Sequence, residues 1–255
     1  MAVQFFASCL VELLRPDVAA AAQRVLRAGG HDPRPVRGAT CCGQPAYNAG
    51  YAPEARRVAR RTLRALGEGD GPCVVASGSC ATMMSHHWPE LFEGTADAEA
   101  ARRAAERTVE LTAFLTGTAA TGGSEGGPQP ARTGDGESGG RSGEGQAIVV
   151  HDSCHALREL GAGATVRQAL ADAGHRTRSA DGAERCCGFG GSFSVKLPAV
   201  SVAMADQKLD SFVATGCEQV TSCDLSCLLH LQGRARRRGL GLRFDHVATL
   251  LNREP

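Results

Sequence analysis

Residues 186–191 read Cys186-Cys187-Gly188-Phe189-Gly190-Gly191, and a shorter copy, Cys41-Cys42-Gly43, occurs earlier in the chain. Adjacent cysteines do not readily bridge each other, because disulfide geometry asks for Cα atoms farther apart than one peptide link allows. Two neighbouring thiolates can instead reach a shared inorganic core. The same frame stands around each pair. Cys9 precedes Cys41, and Cys154 precedes Cys186, by 31 intervening residues each; Cys80 follows Cys42 after 37, and Cys227 follows Cys187 after 39. Each frame therefore offers four thiolates: Cys9, Cys41, Cys42 and Cys80 in one, and Cys154, Cys186, Cys187 and Cys227 in the other. Zinc binds four thiolates tetrahedrally, commonly from short Cys-x₂₋₄-Cys knuckles that this pattern lacks. A [4Fe–4S] cluster takes one thiolate per iron. One or two such clusters are the better match, with zinc the less favoured occupant.

The glycine after each pair has its own role. Gly43 and Gly188 allow positive φ or close backbone approach beside a bulky core, and their amides can donate to sulfur, which tunes a reduction potential. The glycines do not form a nucleotide fingerprint, since GxGxxG is absent. Histidines near the cysteines are weaker signals: His151 and His155 flank Cys154, His86 and His87 follow Cys80, and His230 follows Cys227. Cys73 and Cys217 have no matching partners across the two frames and read as structural.

The elements that must position these residues follow from the repeat. Cys9 and Cys154 are 145 positions apart, as are Cys41 and Cys186, and Cys42 and Cys187; Cys80 and Cys227 are 147 apart. VQFFASC parallels AIVVHDSC, and CVVASGSCATMM parallels QVTSCDLSCLLH. The pattern predicts strands over 3–7, 73–76, 147–151 and 219–222, and helices over 16–28, 53–66 and 199–215. Pro16 marks the start of the helix over 16–28, and Gly29-Gly30 its stop. Alternating strands and helices of these lengths predict an α/β fold of two pseudo-symmetric βαβ-type halves with mostly parallel sheets. In such sheets chemistry gathers at the carboxyl ends of the strands, where Cys9, Cys80, Cys154 and Cys227 all fall. The halves are expected at 1–116 and 147–255, each quartet converging in a pocket of its own. Residues 117–146, rich in Gly, Ser, Thr, Pro and charge, read as a flexible linker.

Composition excludes some functions. Lys plus Arg total 28 against 27 for Asp plus Glu, which leaves no electrostatic case for nucleic acid or an anionic membrane, and aromatics are too few for base-stacking platforms. No apolar run approaches the ~20 residues of a membrane span. Eleven cysteines with no basic leader sequence point to a reducing, cytoplasmic setting in which thiols serve metal or redox chemistry. The basic run 234–238 reads as a solvated helix end.

At SCLVELLRPDVAAA, CCGQPAYNAGY, SGSCATMMSHHWPELF, HDSCHALRELG, RCCGFGGSFSVK and DLSCLLHLQG, the chain resembles the cysteine-rich CCG domain family. More closely it resembles the lactate utilization protein A branch, related to the cysteine-rich component of heterodisulfide reductase and to the glycolate oxidase iron–sulfur subunit. The resemblance covers nearly everything outside the linker. It implies iron–sulfur clusters near the interface of the halves and electron transfer with the other iron–sulfur subunits of a complex that oxidises a 2-hydroxy acid, L-lactate above all. It also implies an alternative, a heterodisulfide-reductase-like thiol–disulfide reductase; a zinc-holding structural module is the other rival. The family motif carries a further cysteine three residues before the last. Here those slots hold Ser77 and Asp224. Cys223 is adjacent to the second slot and can enter it at a turn, while Asp224 offers an oxygen ligand.

Overall fold

The computed structural model describes residues 1–67, 69, 71–117 and 147–252. The segment read as a linker lies outside the described residues, apart from Gly117. The first half supplies strands β1 (Ala2–Phe6), β2 (Asp32–Pro35), β3 (Cys73–Val75) and β4 (Thr108–Glu110). The second supplies β5 (Ile148–Val150), β6 (Thr177–Arg178), β7 (Gln219–Ser222) and β8 (Arg243–His246). They form two four-stranded, all-parallel sheets of order β2-β1-β3-β4 and β6-β5-β7-β8. The fold is α/β, as the alternation predicts. β3 and β5, reading CVV and IVV, are buried throughout, as expected of parallel strands covered by helices on both faces.

The predicted elements shift by a residue or so at their ends. The helix Pro16–Ala28 falls where Pro and Gly-Gly place it, and the long second helices run Ala52–Leu66 and Pro198–Ala214. β5 stops before His151, because the chain turns there to deliver Cys154 at the start of the helix Cys154–Leu160.

The strand order decides where the cysteines meet. In each sheet the chain runs from the first strand to one side, then returns to the other, so the switch point lies between β1 and β3, and between β5 and β7. Ligand crevices form at such points, beyond the carboxyl ends of the strands. Cys9 follows β1 and Cys80 follows β3; Cys154 follows β5 and Cys227 follows β7.

The halves exchange their last helices. Leu111–Leu115, closing the first half, packs on Ala162–Asp172 of the second, and Val247–Leu251, closing the second, packs on Pro16–Ala28 of the first. Leu225 and Ala248 thereby join a core of first-half residues including Val11, Val18 and Leu26. A third contact sets the helices Gly78–Thr82 and Cys154–Leu160 together. A Cβ on Gly78 would lie 2.5 Å from that of Ala156 and 2.9 Å from the sulfur of Cys223, so this approach requires glycine.

Candidate metal centre

Each double-cysteine turn is held by parallel devices. Gly43 has φ +92°, and a Cβ there would sit 2.8 Å from the carbonyl of Ala55. Gly188 has φ +87°, and its Cβ would sit 2.7 Å from the carbonyl of Ser201. Both expected reasons for glycine, positive φ and close approach to the following helix, therefore apply at both turns. The Gly43 amide donates to Cys41 Sγ and the Gly188 amide to Cys186 Sγ, each at 3.4 Å. Trp88, fully buried, adds an anchor in the first half: its indole N–H donates to the Cys42 carbonyl at 2.9 Å. It stands just beyond a π-helical turn, Met83–His87, a feature common near functional sites.

One pair of anchors has exchanged chemistry between the halves. Thr62, buried on the helix Ala52–Leu66, donates its hydroxyl to the Cys41 carbonyl at 2.9 Å and accepts from the Thr40 amide at 3.0 Å. Its counterpart, 146 positions on, is Lys208. Lys208 is 1 % exposed and donates to the carbonyls of Gly182 and Ala183 at 3.0 and 2.6 Å. The ammonium holds the loop before Cys186 as the hydroxyl holds the loop before Cys41. Burial pulls the lysine pKa down.

Within each quartet the thiols touch in series. Cys9 meets Cys41, Cys41 meets Cys42, and Cys42 lies 3.3 Å from Cys80, sulfur to sulfur. Cys154 meets Cys186, Cys186 meets Cys187, and Cys187 meets Cys227. Hydrogen bonds from Cys42, Cys9 and the Gly43 amide hold the Cys41 thiol far below its ordinary range. Those from Cys154, Cys187 and the Gly188 amide do the same for Cys186. The same contacts, with burial, push up Cys9, Cys42, Cys154 and Cys187. Cys227 is brought to about 7, chiefly by Cys187 and, against burial, by His151. Thiolate is the ligand form of cysteine, and these contacts favour it at Cys41 and Cys186. The residue before Cys9 is also unusual: Ser8, with φ 75° and ψ 153°, occupies backbone space used almost only by glycine, a strain that persists only where its surroundings impose it.

All eight cysteines line one cavity of about 420 Å³. The expectation of a separate pocket for each quartet is corrected here. The halves face one another with the carboxyl ends of their sheets, so the two crevices merge. Leu10, Pro45, Phe189, Val195 and Leu225 give the cavity apolar walls, and the turn Gly190-Gly191 lines it beside Ser194. Soft sulfur donors in such a setting suit metal binding, and thiolate sets select zinc, copper(I) or iron–sulfur clusters.

The candidates outside the quartets go elsewhere. Cys223 is 2 % exposed among Val150, Ala156, Val166 and Val247. It is not part of the cavity wall, and burial raises its pKa. Asp224 reaches the cavity wall, but its carboxylate is engaged by the other half. It accepts from the Ser77 hydroxyl at 2.7 Å, the Ser79 hydroxyl at 2.8 Å and the Ser79 amide at 3.0 Å. The two slots in which the family motif carries a cysteine are therefore bonded to each other. Cys73 and Cys217 are buried in the two half-cores, and burial pushes Cys73 up to about 12.

Among the histidines, His155 lines the cavity with Nδ1 3.6 Å from Cys154 Sγ. His87 pairs with Glu159 of the other half at 2.8 Å, and His86 contacts Ser85. His230 packs on Phe189 and lies 3.4 Å from the Ser201 hydroxyl. His151 is 1 % exposed; no nitrogen or oxygen partner reaches its ring, and its one polar contact is with the Cys227 sulfur, which it helps to hold low. One of its nitrogens and the sulfurs of Cys187 and Cys227 all lie within 4.8 Å of one another. An unpaired buried polar group costs on the order of 1–3 kcal/mol. In the basic run, Arg234 and Arg238 pair with Asp206 at 2.7 and 3.3 Å, and Arg238 also with Asp210.

Sequence reasoning did not single out Trp88, Thr62, Lys208 or Ser8 as parts of this site. The signal available for Thr62 and Lys208 was their equivalence in the repeat, which required pairing the helices before comparing them.

The cysteine-rich domain model named CCG matches residues 3–85 and again 148–232. Lactate utilization protein A of Exiguobacterium sp. is 34% identical over 258 residues, covering 98% of this chain and 96% of the relative. Lactate utilization protein A 2 of Bacillus cereus is 33% identical, covering 98% of both chains. Lactate utilization protein A of Macrococcus caseolyticus is 33% identical, covering all of this chain and 97% of its own. The duplicated cysteine frame, the paired parallel sheets and these matches agree: the chain belongs to the lactate utilization protein A family of duplicated cysteine-rich CCG-domain proteins.

Proposed function

We propose that the protein is the iron–sulfur electron-transfer subunit of a cytoplasmic complex that oxidises a 2-hydroxy acid, L-lactate by the names of its relatives. The observation that carries this reading is the meeting of two complete thiol quartets in one apolar-walled cavity. Cys9, Cys41, Cys42 and Cys80 would hold one [4Fe–4S] cluster, and Cys154, Cys186, Cys187 and Cys227 a second. When bound, such clusters accept and release single electrons.

The chain's own groups prepare the site for that work. The amides of Gly43 and Gly188, aimed at Cys41 and Cys186, favour added negative charge on sulfur and hence the reduced state. The apolar walls restrain water. The Ser77–Asp224 bond and the exchanged helices keep the halves in register, so the quartets keep facing a common space. Substrate oxidation belongs to partner subunits, with this chain passing electrons between their centres. Among the described residues no helix is long and apolar enough to cross a membrane.

Anaerobic purification with iron, acid-labile sulfide and zinc analysis tests the reading. Brown protein with iron and sulfide in equal amounts, halved after alanine replacement of either quartet and absent after replacement of both, is the expected result. Colourless protein holding zinc after anaerobic purification would overturn it. Reduction of a small-molecule disulfide by the chain alone would favour the thiol–disulfide reductase alternative.

A further inference from the structure

The two thiol sites are equivalent in sequence spacing but differ in one group packed against them. Three residues before Cys9 stands Phe6, and three before Cys154 stands His151. Phe6, the last residue of β1, packs in one cluster with Cys42 and Cys80. His151, just beyond β5, has a ring nitrogen within 4.8 Å of the sulfurs of Cys187 and Cys227, the counterparts of those two cysteines. A carbon ring in the core of one half has become an imidazole beside the thiols in the other.

The polar surroundings of this imidazole are sulfur alone. His246, the other fully buried histidine, has both nitrogens engaged: Nε2 with the Cys223 carbonyl at 3.0 Å, and Nδ1 with the Ala248 amide at 3.2 Å. His151 is buried to the same degree, but no nitrogen or oxygen partner reaches it, and its one polar contact is with the Cys227 sulfur. Its ring stacks edge-on to Phe212 at 6.2 Å between centroids, which fixes its plane without satisfying either nitrogen. A buried polar group whose protein partners are themselves metal-binding sulfurs is placed to share their ligand.

The residues at the fifth-donor slot do not fill that role. Asp224 is engaged by Ser77 and Ser79, and Cys223 is turned into an apolar cluster, whereas His151, itself behind the cavity wall, adjoins the wall sulfurs of Cys187 and Cys227. We propose that His151 supplies a nitrogen ligand to the metal centre of the second half, where one iron would carry the imidazole beside its thiolate, whereas each iron of the first half would carry a thiolate alone. The donor is the lone pair of the neutral imidazole, and the other nitrogen keeps its proton. The inference rests on the proposed metal-binding function. It adds that the two centres are chemically unlike, the second carrying a mixed thiolate–imidazole shell.

The test uses the full chain, purified anaerobically, reconstituted with iron and sulfide, and reduced. Pulsed electron paramagnetic resonance is recorded on protein grown with ordinary and with ¹⁵N-labelled histidine. A strong, directly bonded nitrogen coupling that responds to the label and vanishes in His151→Phe supports the proposal. The same coupling must survive His155→Phe and His230→Phe. His151→Gln is the second variant, and retention of the first-half iron in either variant shows that the chain has folded. Iron-loaded protein with only weak histidine coupling, or strong coupling that persists in both His151 variants, overturns the ligand assignment while leaving the iron–sulfur reading intact. Failure of the wild-type chain to take up iron overturns both.

Discussion

The Ser77 hydroxyl donates to Asp224 Oδ1 at 2.7 Å across the interface of the halves, and the two residues occupy equivalent places in the repeat, 147 positions apart. Both sit at the turn from the third strand of their sheet into the cysteine-bearing helix, so the bond crosses the pseudo-symmetry axis. It is asymmetric only in chemistry: a hydroxyl on one side, and on the other a carboxylate that is 0% exposed. Asp224→Ala leaves the Ser79 amide unpaired and the Ser77 hydroxyl with its 3.3 Å contact to the Ser79 hydroxyl, and should cost about 1–3 kcal/mol of stability, the range for one buried unpaired group. Combined with Ser77→Ala in a double-mutant cycle under anaerobic denaturation, it should show a coupling of about 0.5–3 kcal/mol. Additive effects of the two changes would mean that the bond contributes nothing to the interface.

Gly78→Ala tests the same interface sterically. The added methyl would stand 2.5 Å from the Ala156 Cβ, and overpacking of this kind costs about 1–3 kcal/mol. The loss should fall on the contact between the halves, seen as faster hydrogen exchange in the helices Gly78–Thr82 and Cys154–Leu160. An unchanged midpoint and unchanged exchange would show that this contact is loose.

His246 predicts an acid limb in the stability profile. Burial depresses its pKa from 6.5 to about 4. Between those values the unfolded chain binds the proton and the folded chain does not, so stability is present above pH 6.5 and is lost as pH falls towards 4. At 1.36 kcal/mol per unit, the loss from this group approaches about 3 kcal/mol. His246→Asn keeps an acceptor for the Ala248 amide and should flatten that limb. Parallel wild-type and variant profiles in urea would sink the assignment.

The unequal surroundings of the quartets predict unequal variants. The turn after Cys187 continues through Phe189, Gly190 and Gly191 along the cavity wall, and His151 adjoins only the second site. Cys187→Ser should therefore reduce lactate-dependent dye reduction, measured with partner subunits present, more than Cys42→Ser does. Iron content of each variant separates loss of electron transfer from loss of loading. Equal losses, or a greater loss from Cys42→Ser, would contradict the asymmetry.

Periodicity and spacing along the chain were enough to reveal the duplication, the α/β class and the strand ends at which cysteines fall. They also revealed the need for glycine after each cysteine pair, a local matter of φ and of room beside a helix. Packing between distant segments settled what no local rule can reach. The merging of two crevices into one cavity follows from how the halves face each other and exchange their last helices. Ser77 and Asp224 read as vacant ligand slots when each half is considered alone, and they become partners only when the slots meet. Thr62 and Lys208 look unrelated along the chain, yet they perform one task from one position. Cys223 and Asp224 are neighbours in sequence, but the turn before the helix Leu225–Arg237 sends one into an apolar core and the other across the interface. His151 and Phe6 differ by one substitution in the repeat. Only packing shows that the imidazole lies beside the thiols, where a nitrogen has a chemical consequence and a ring carbon has none.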